Sequence, residues 1–254
     1  MINNILLHKK FRWLIFMTMA IMIVSLLSFK NQQSKQGIIK ITFINTANGK
    51  PIVLRDSMYS NFFGEQYSIN KLKYYISDFK VTGATQQPEA DSYHLINARE
   101  EVNAFEISLD AGQYNGISFL LGVDSTNNCS GAQSGALDPM NDMFWTWNSG
   151  YVMFKLEGTS SSSTADLQRI EHHIGGFKGD NSVVTLIKLD IPQKLLIKEN
   201  AVTELIIETN LDNYWKNASE IKISEHPLCT TTGELAKKIA TNFPGLFSIR
   251  QINY

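Results

Sequence analysis

Apolar and polar residues alternate with period two along most of the chain. Ile39, Ile41 and Phe43 alternate with Lys40 and Thr42, and Phe105, Ile107 and Leu109 alternate with Glu106, Ser108 and Asp110. After a turn over 111–116, Ile117, Phe119, Leu121 and Val123 continue the pattern, and Val152, Phe154 and Leu156 repeat it. Tyr75, Phe79 and Val81 share one face of the segment 72–81, and 183–191 and 203–209 are further apolar-rich strands. Alternation of this kind puts every second side chain on one face of a pleated strand, so these segments predict half-buried sheet. Asn48-Gly49 predicts a hairpin turn, with Pro51 to Leu54 as its return. One helix is predicted, from Glu234 onward, because Leu235, Ile239 and Phe243 fall four residues apart. Thr231 or Thr232 would cap it and Pro244 would stop it. Short strands separated by turns, with almost no helix, predict an all-β fold: one antiparallel β-sandwich domain over 37–254, with long irregular loops.

The first 36 residues follow a different pattern. Lys9, Lys10 and Arg12 precede an uncharged run from Trp13 to Phe29, and Asn31, Gln32, Gln33 and Ser34 follow it. Charge, apolar run and polar tail in that order predict an export signal or an uncleaved N-terminal membrane anchor. No cysteine follows the run, which excludes a lipid-modified N-terminus. The expected location is the periplasm or the outer face of the cytoplasmic membrane.

Charge sharpens this picture. The 254-residue chain has a formal net charge of −1, but the leader holds five basic residues and no acid. The remainder carries 18 basic against 24 acidic residues. An acidic body without a basic patch argues against nucleic-acid binding. Both cysteines, Cys129 and Cys229, lie in the part expected to be exported, where paired thiols are the default. A Cys129–Cys229 disulfide would close a loop of about 100 residues and stabilise the fold by about 4–5 kcal/mol.

Two segments break the alternation. From Cys129 to Tyr151 small residues give way to Asp138-Pro139 and then to Met140, Met143, Phe144, Trp145 and Trp147. A loop of about 25 residues exceeds what a compact domain carries without a functional reason. Trp145 and Trp147 would point the same way on extended backbone. The second segment runs from Arg169 to Phe177 and contains the adjacent histidines His172 and His173, which a strand would send to opposite faces. His94 and His226 are the other histidines beyond the leader. Other chemistry is excluded by spacing. Ser134 is out of register for a nucleophile elbow. Gly175-Gly176-Phe177-Lys178-Gly179 lacks the P-loop ending. Asp124, Asp138 and Asp142 do not fit a calcium loop and suit turns and caps better.

At these segments the sequence resembles the MbnP family, exported copper-binding proteins named for a methanobactin-associated member. The resemblance is carried by Tyr67 with Leu72-Lys73-Tyr74-Tyr75-Ile76-Ser77, by Leu121-Gly122-Val123-Asp124, and by Leu137-Asp138-Pro139 with Met143-Phe144-Trp145-Thr146-Trp147-Asn148-Ser149-Gly150-Tyr151. His173-Ile174-Gly175-Gly176 and Ala240-Thr241-Asn242 with Phe247-Ser248-Ile249 complete it. It implies a non-catalytic, periplasmic copper protein whose partner is a di-haem enzyme of the cytochrome-c-peroxidase type. The partner would oxidise a tryptophan, Trp145 or Trp147, to kynurenine, and His173 would join the new nitrogen at copper. Imidazole and an aryl amine both suit copper. No histidine lies inside the Trp-x-Trp segment, so further ligands would come from His94, His172, His226 or Met143. Two alternatives stand beside this reading. In one, an exported sandwich binds a surface protein or glycan without metal and uses the tryptophans for stacking. In the other, Trp145 or Trp147 relays electrons to a haem protein.

Overall fold

The period-two segments do fold as strands. A computed structural model describes residues 35–83, 86–88, 92–131, 133–146 and 149–254. The leader, up to residue 34, and Trp147 lie outside the described residues. The strands in chain order are β1 (Gln36–Ala47), β2 (Lys50–Pro51), β3 (Met58–Ser60), β4 (Gln66–Gly83), β5 (Gln86–Pro88), β6 (Tyr93–Asn97), β7 (Ala104–Asp110) and β8 (Gly112–Leu121). After helix α1 (Ser125–Asn128) come β9 (Phe144–Thr146), β10 (Gly150–Thr159), β11 (Arg169–Gly175), β12 (Thr185–Ile197) and β13 (Val202–Asn210). Helix α2 (Asp212–Trp215), β14 (Leu228–Cys229), helix α3 (Glu234–Ala240) and β15 (Phe247–Asn253) complete the chain.

Two sheets result. The smaller runs β15-β13-β1-β2, with β7 also paired to β1. The larger runs β12-β8-β4-β10-β11-β14, with β3, β5 and β6 against β4 and β9 against β10. Pairing is antiparallel except at two joints, β1 with β13 and β11 with β14. A parallel joint needs a long crossover, and every strand of the larger sheet except β14 lies between β1 and β13 in sequence. Asn48 and Gly49 both take positive φ, 51° and 72°, which returns the chain from β1 into β2 with the twist that hairpins favour.

Phe43 on β1 marks the centre of the core. Its ring packs against Phe105, Tyr74, Phe119 and Phe247, at centroid distances of 6.0 to 6.4 Å. The Tyr74 hydroxyl on the larger sheet reaches across to Asn45 Oδ1 and Thr209 Oγ1, 2.8 Å from each. The buried phenol is thereby satisfied and the two sheets are tied together.

Two expectations are corrected. Helix α3 is opened by Gly233, not by a threonine. Gly233 takes φ 143°, which side-chain-bearing residues avoid, and its carbonyl accepts from Lys237 N at 3.0 Å. The two cysteines are free thiols. Cys229 is buried on β14, paired in register with His172, while Cys129 is exposed just after α1. A disulfide needs both sulfurs in bonding contact, and one thiol in the core with the other at the surface does not meet that condition. Among the described residues no helix is long and apolar enough to cross a membrane.

Candidate functional site

Strands β10 and β11 sit side by side; β11 alternates in burial, while β10 is buried on both faces from Gly150 to Leu156. Phe154 and Leu156, with Ile170, His172 and Ile174, point into the core. Lys155 and Glu157, with Glu171, His173 and Gly175, occupy the alternate positions on the other face. Lys155 is in register with His173 on one side and Lys73 on the other, and Glu157 with Glu171 and Lys71.

The segment 133–146 lies over this face and is tied down by it. Lys155, whose side chain is only 5% exposed, donates to the Asp142 carbonyl and lies 3.1 Å from the Asp142 carboxylate. Lys71 Nζ bridges Asp142 at 2.8 Å and Glu157 at 3.1 Å, and Lys73 Nζ donates to the Asn141 carbonyl at 2.8 Å. Burial pushes the Asp142 carboxyl upward, but hydrogen bonds from Lys71 and Lys155 prevail and hold it at about 2. The hydrogen bond from His173, against burial and aided by Lys71, holds Glu157 at about 2 as well. Tyrosines complete the fastening. Tyr75 donates to the Ala136 carbonyl at 3.0 Å and Tyr151 to the Leu137 carbonyl at 2.6 Å. Asp138 accepts from Met140 N at 2.8 Å and so caps the turn over Pro139–Asn141.

This anchored segment delivers Trp145. On β9 its indole lies over Gly175: a β-carbon at 175 would sit 2.6 Å from Cζ3 and 2.9 Å from Cη2. Gly175 is thus a seat that only a residue without a side chain provides. His173 is two residues earlier on the same face, about 7 Å along the strand. Its Nε2 lies 2.9 Å from Glu157 Oε1, and its side chain is 18% exposed. Trp145 is half-buried.

The remaining candidates have other surroundings. His172 is wholly buried, with Nδ1 2.8 Å from the Tyr214 hydroxyl and Nε2 2.8 Å from the His226 carbonyl, so both ring nitrogens have protein partners. Burial lowers its pKa from 6.5 to about 4. The His94 ring is stacked on Phe105, 3.5 Å between centroids. His226 is half-buried just before β14. Met143 is wholly buried, and its carbonyl accepts from Val152 N at 2.8 Å. Asp124 caps α1, accepting from Thr126 N and Asn127 N. Among the described residues no group of three or more His, Cys, Asp or Glu is arranged to hold a metal ion.

Sequence reasoning missed the lysines. Lys71, Lys73 and Lys155 with Glu157 were legible as charged residues at alternate positions of strands whose other positions are strongly apolar, the pattern of a sheet face occupied by polar contacts.

A solved structure, MbnP from Methylosinus trichosporium, is similar at 14% identity and a TM-score of 0.49, over 74% of this chain and 80% of that one. No curated protein matches the chain. The model of the MbnP family matches residues 36–231, which include every strand except β15 and the whole Trp145–His173 face. The chain belongs to the MbnP family.

Proposed function

We propose that this is an exported, non-catalytic copper-binding protein completed by oxidation of Trp145. A di-haem peroxidase-type partner would convert the indole to kynurenine. The aryl amine so released would then hold copper together with His173. The observation that supports this most is the seating of Trp145 over Gly175, on the same face as His173 and two residues from it.

The donor set fits copper only after oxidation. As encoded, the face offers one imidazole and the carboxylates of Glu157 and Glu171, and an intact indole N–H is a donor without a ligand lone pair. Kynurenine formation supplies the nitrogen that is lacking, and its softness matches imidazole. The benzo edge of Trp145 faces Gly175, so Cδ1 and Nε1 lie on the far side of the indole from the strand. Oxygen has to enter at that pyrrole ring. Glu157 holds Nε2 of His173 and fixes the ring, the usual task of a carboxylate behind a ligating histidine.

The test uses protein isolated from cells that retain the partner enzyme. Peptide mapping by mass should find kynurenine at position 145, and His173→Ala should keep that modification while losing the copper. Native protein with an intact Trp145, or unchanged copper stoichiometry in His173→Ala, would overturn the reading.

A further inference from the structure

The core side of β11 holds a separate chemical unit. His172 is wholly buried, and its Nε2 lies 2.8 Å from the carbonyl oxygen of His226. A carbonyl can only accept, so Nε2 carries the ring proton and Nδ1 presents its lone pair. The Tyr214 hydroxyl, 2.8 Å away and also wholly buried, must therefore donate to Nδ1. The result is a phenol hydrogen-bonded to a neutral imidazole, shielded from water.

Aromatic rings lead from this pair toward the surface. Tyr214 meets Trp215 at 5.2 Å between centroids, Trp215 meets Tyr67 at 5.1 Å, and Tyr67 meets Tyr59 at 5.7 Å. His172 itself lies 5.8 Å from Trp215. Tyr59 accepts from Val53 N at 2.7 Å and is itself only 6% exposed. It lines a surface pocket with Val53 and Met58, so this end of the row lies just beneath the surface. Two members carry polar atoms that packing alone does not explain. Tyr67 Oη and Trp215 Nε1 are buried without a well-formed hydrogen bond, each having the other as a near polar neighbour. Buried polar atoms are nearly always paired, and a redox role is one reason for an exception.

We propose that Tyr214 is a redox-active tyrosine, with His172 as its proton acceptor and Trp215, Tyr67 and Tyr59 as the path for its electron. The oxidant is a high-valent metal centre of another protein, docked at the Tyr59 end. In the step the Tyr214 O–H bond breaks and the proton forms an N–H bond at His172 Nδ1. One electron leaves along the ring path, and the oxidant is reduced by one electron. The products are a neutral tyrosyl radical and an imidazolium whose Nε2–H still donates to His226. Without the proton transfer the positive charge would sit on an oxidised phenol, a far stronger acid than imidazolium, so the proton moves to His172 even though the charge stays in the core. Short ring-to-ring steps matter because electron tunnelling falls off exponentially with distance. This activity needs neither copper nor a modified Trp145.

The experiment uses purified full-length protein and photogenerated tris(bipyridine)ruthenium(III) as the oxidant, with electron paramagnetic resonance of frozen samples. A neutral tyrosyl radical is expected, coupled to a nitrogen that responds to isotopic labelling of histidine. Tyr214→Phe, which keeps the ring, should abolish that nitrogen-coupled signal. Trp215→Phe with Tyr67→Phe should lower its yield while leaving Tyr214 in place. A nitrogen-coupled radical that persists in Tyr214→Phe overturns the proposal. So does a wild-type protein whose tyrosyl radicals all lack histidine coupling, a measurement that stands even if the variants fail to fold.

Discussion

The two faces of β11 place adjacent histidines in opposite chemical worlds. His172 faces the core, with both nitrogens committed and its pKa pushed down to about 4 by burial. His173 faces the anchored loop and a carboxylate that is itself held at about 2. One residue of sequence separates a neutral core imidazole from one set among charges. The pleat does the sorting, so function at this strand depends on parity rather than on residue type.

The largest expected contrast between the faces is in pH dependence. His172 has an ordinary pKa of 6.5 and a folded value of about 4, so below pH 6.5 the unfolded chain takes up a proton that the folded chain refuses. Stability therefore falls as the pH drops from 6.5 to 4, by about 3 kcal/mol in all. The outer carboxylates act in another window. Asp142 and Glu157, both depressed to about 2, contribute stability that is intact above pH 4.5 and lost as the pH falls toward 2. Urea unfolding at closely spaced pH values should show both windows. His172→Gln should flatten only the upper one, and an unchanged slope there would break the contrast.

A smaller effect tests the seat of the indole. Gly175→Ala places a methyl group against Cζ3 of Trp145 and 3.0 Å from the Tyr151 carbonyl. Overpacking of this kind costs about 1–3 kcal/mol. The indole should swing outward, with a red-shifted fluorescence that a Trp145→Phe background lacks.

The smallest effect is expected for His173→Ala. The His173–Glu157 pair is partly exposed, so its removal should shift stability by less than about 1 kcal/mol in thermal or urea unfolding. A loss of several kcal/mol would make His173 a structural residue like its neighbour and dissolve the comparison.

The strands were legible because alternation is a local signal. Ile39 to Phe43, Phe105 to Leu109 and Val152 to Leu156 all lie where their pattern puts them. Sheet partners were not legible, because nothing near β1 announces that residues 202–210 will lie parallel to it. The cysteine pairing failed for the same reason: compartment chemistry says whether thiols oxidise, not whether the fold brings them together. At the site, Trp145 and His173 stood out through composition and resemblance. The lysine lattice that anchors the loop did not, since Lys71 and Lys73 on β4 and Lys155 on β10 converge on it only once these two strands are in register. The Tyr214–His172 hydrogen bond spans 42 residues and leaves no trace in either local pattern.

The parallel joint of β1 with β13 also sets a timetable. Ile38 lies beside Val202 and Thr46 beside Asn210, so the first strand waits for chain made more than 160 residues later. Until then β1 has only β2 and β7 to pair with, along its opposite edge. The edge of β1 that takes β13 stays unpaired through most of synthesis, and the smaller sheet closes only when the last fifth of the chain is available. Contacts of such long sequence separation slow folding and lengthen the exposure of sticky strand edges. The order of the strands along the chain therefore leaves the smaller sheet to close last.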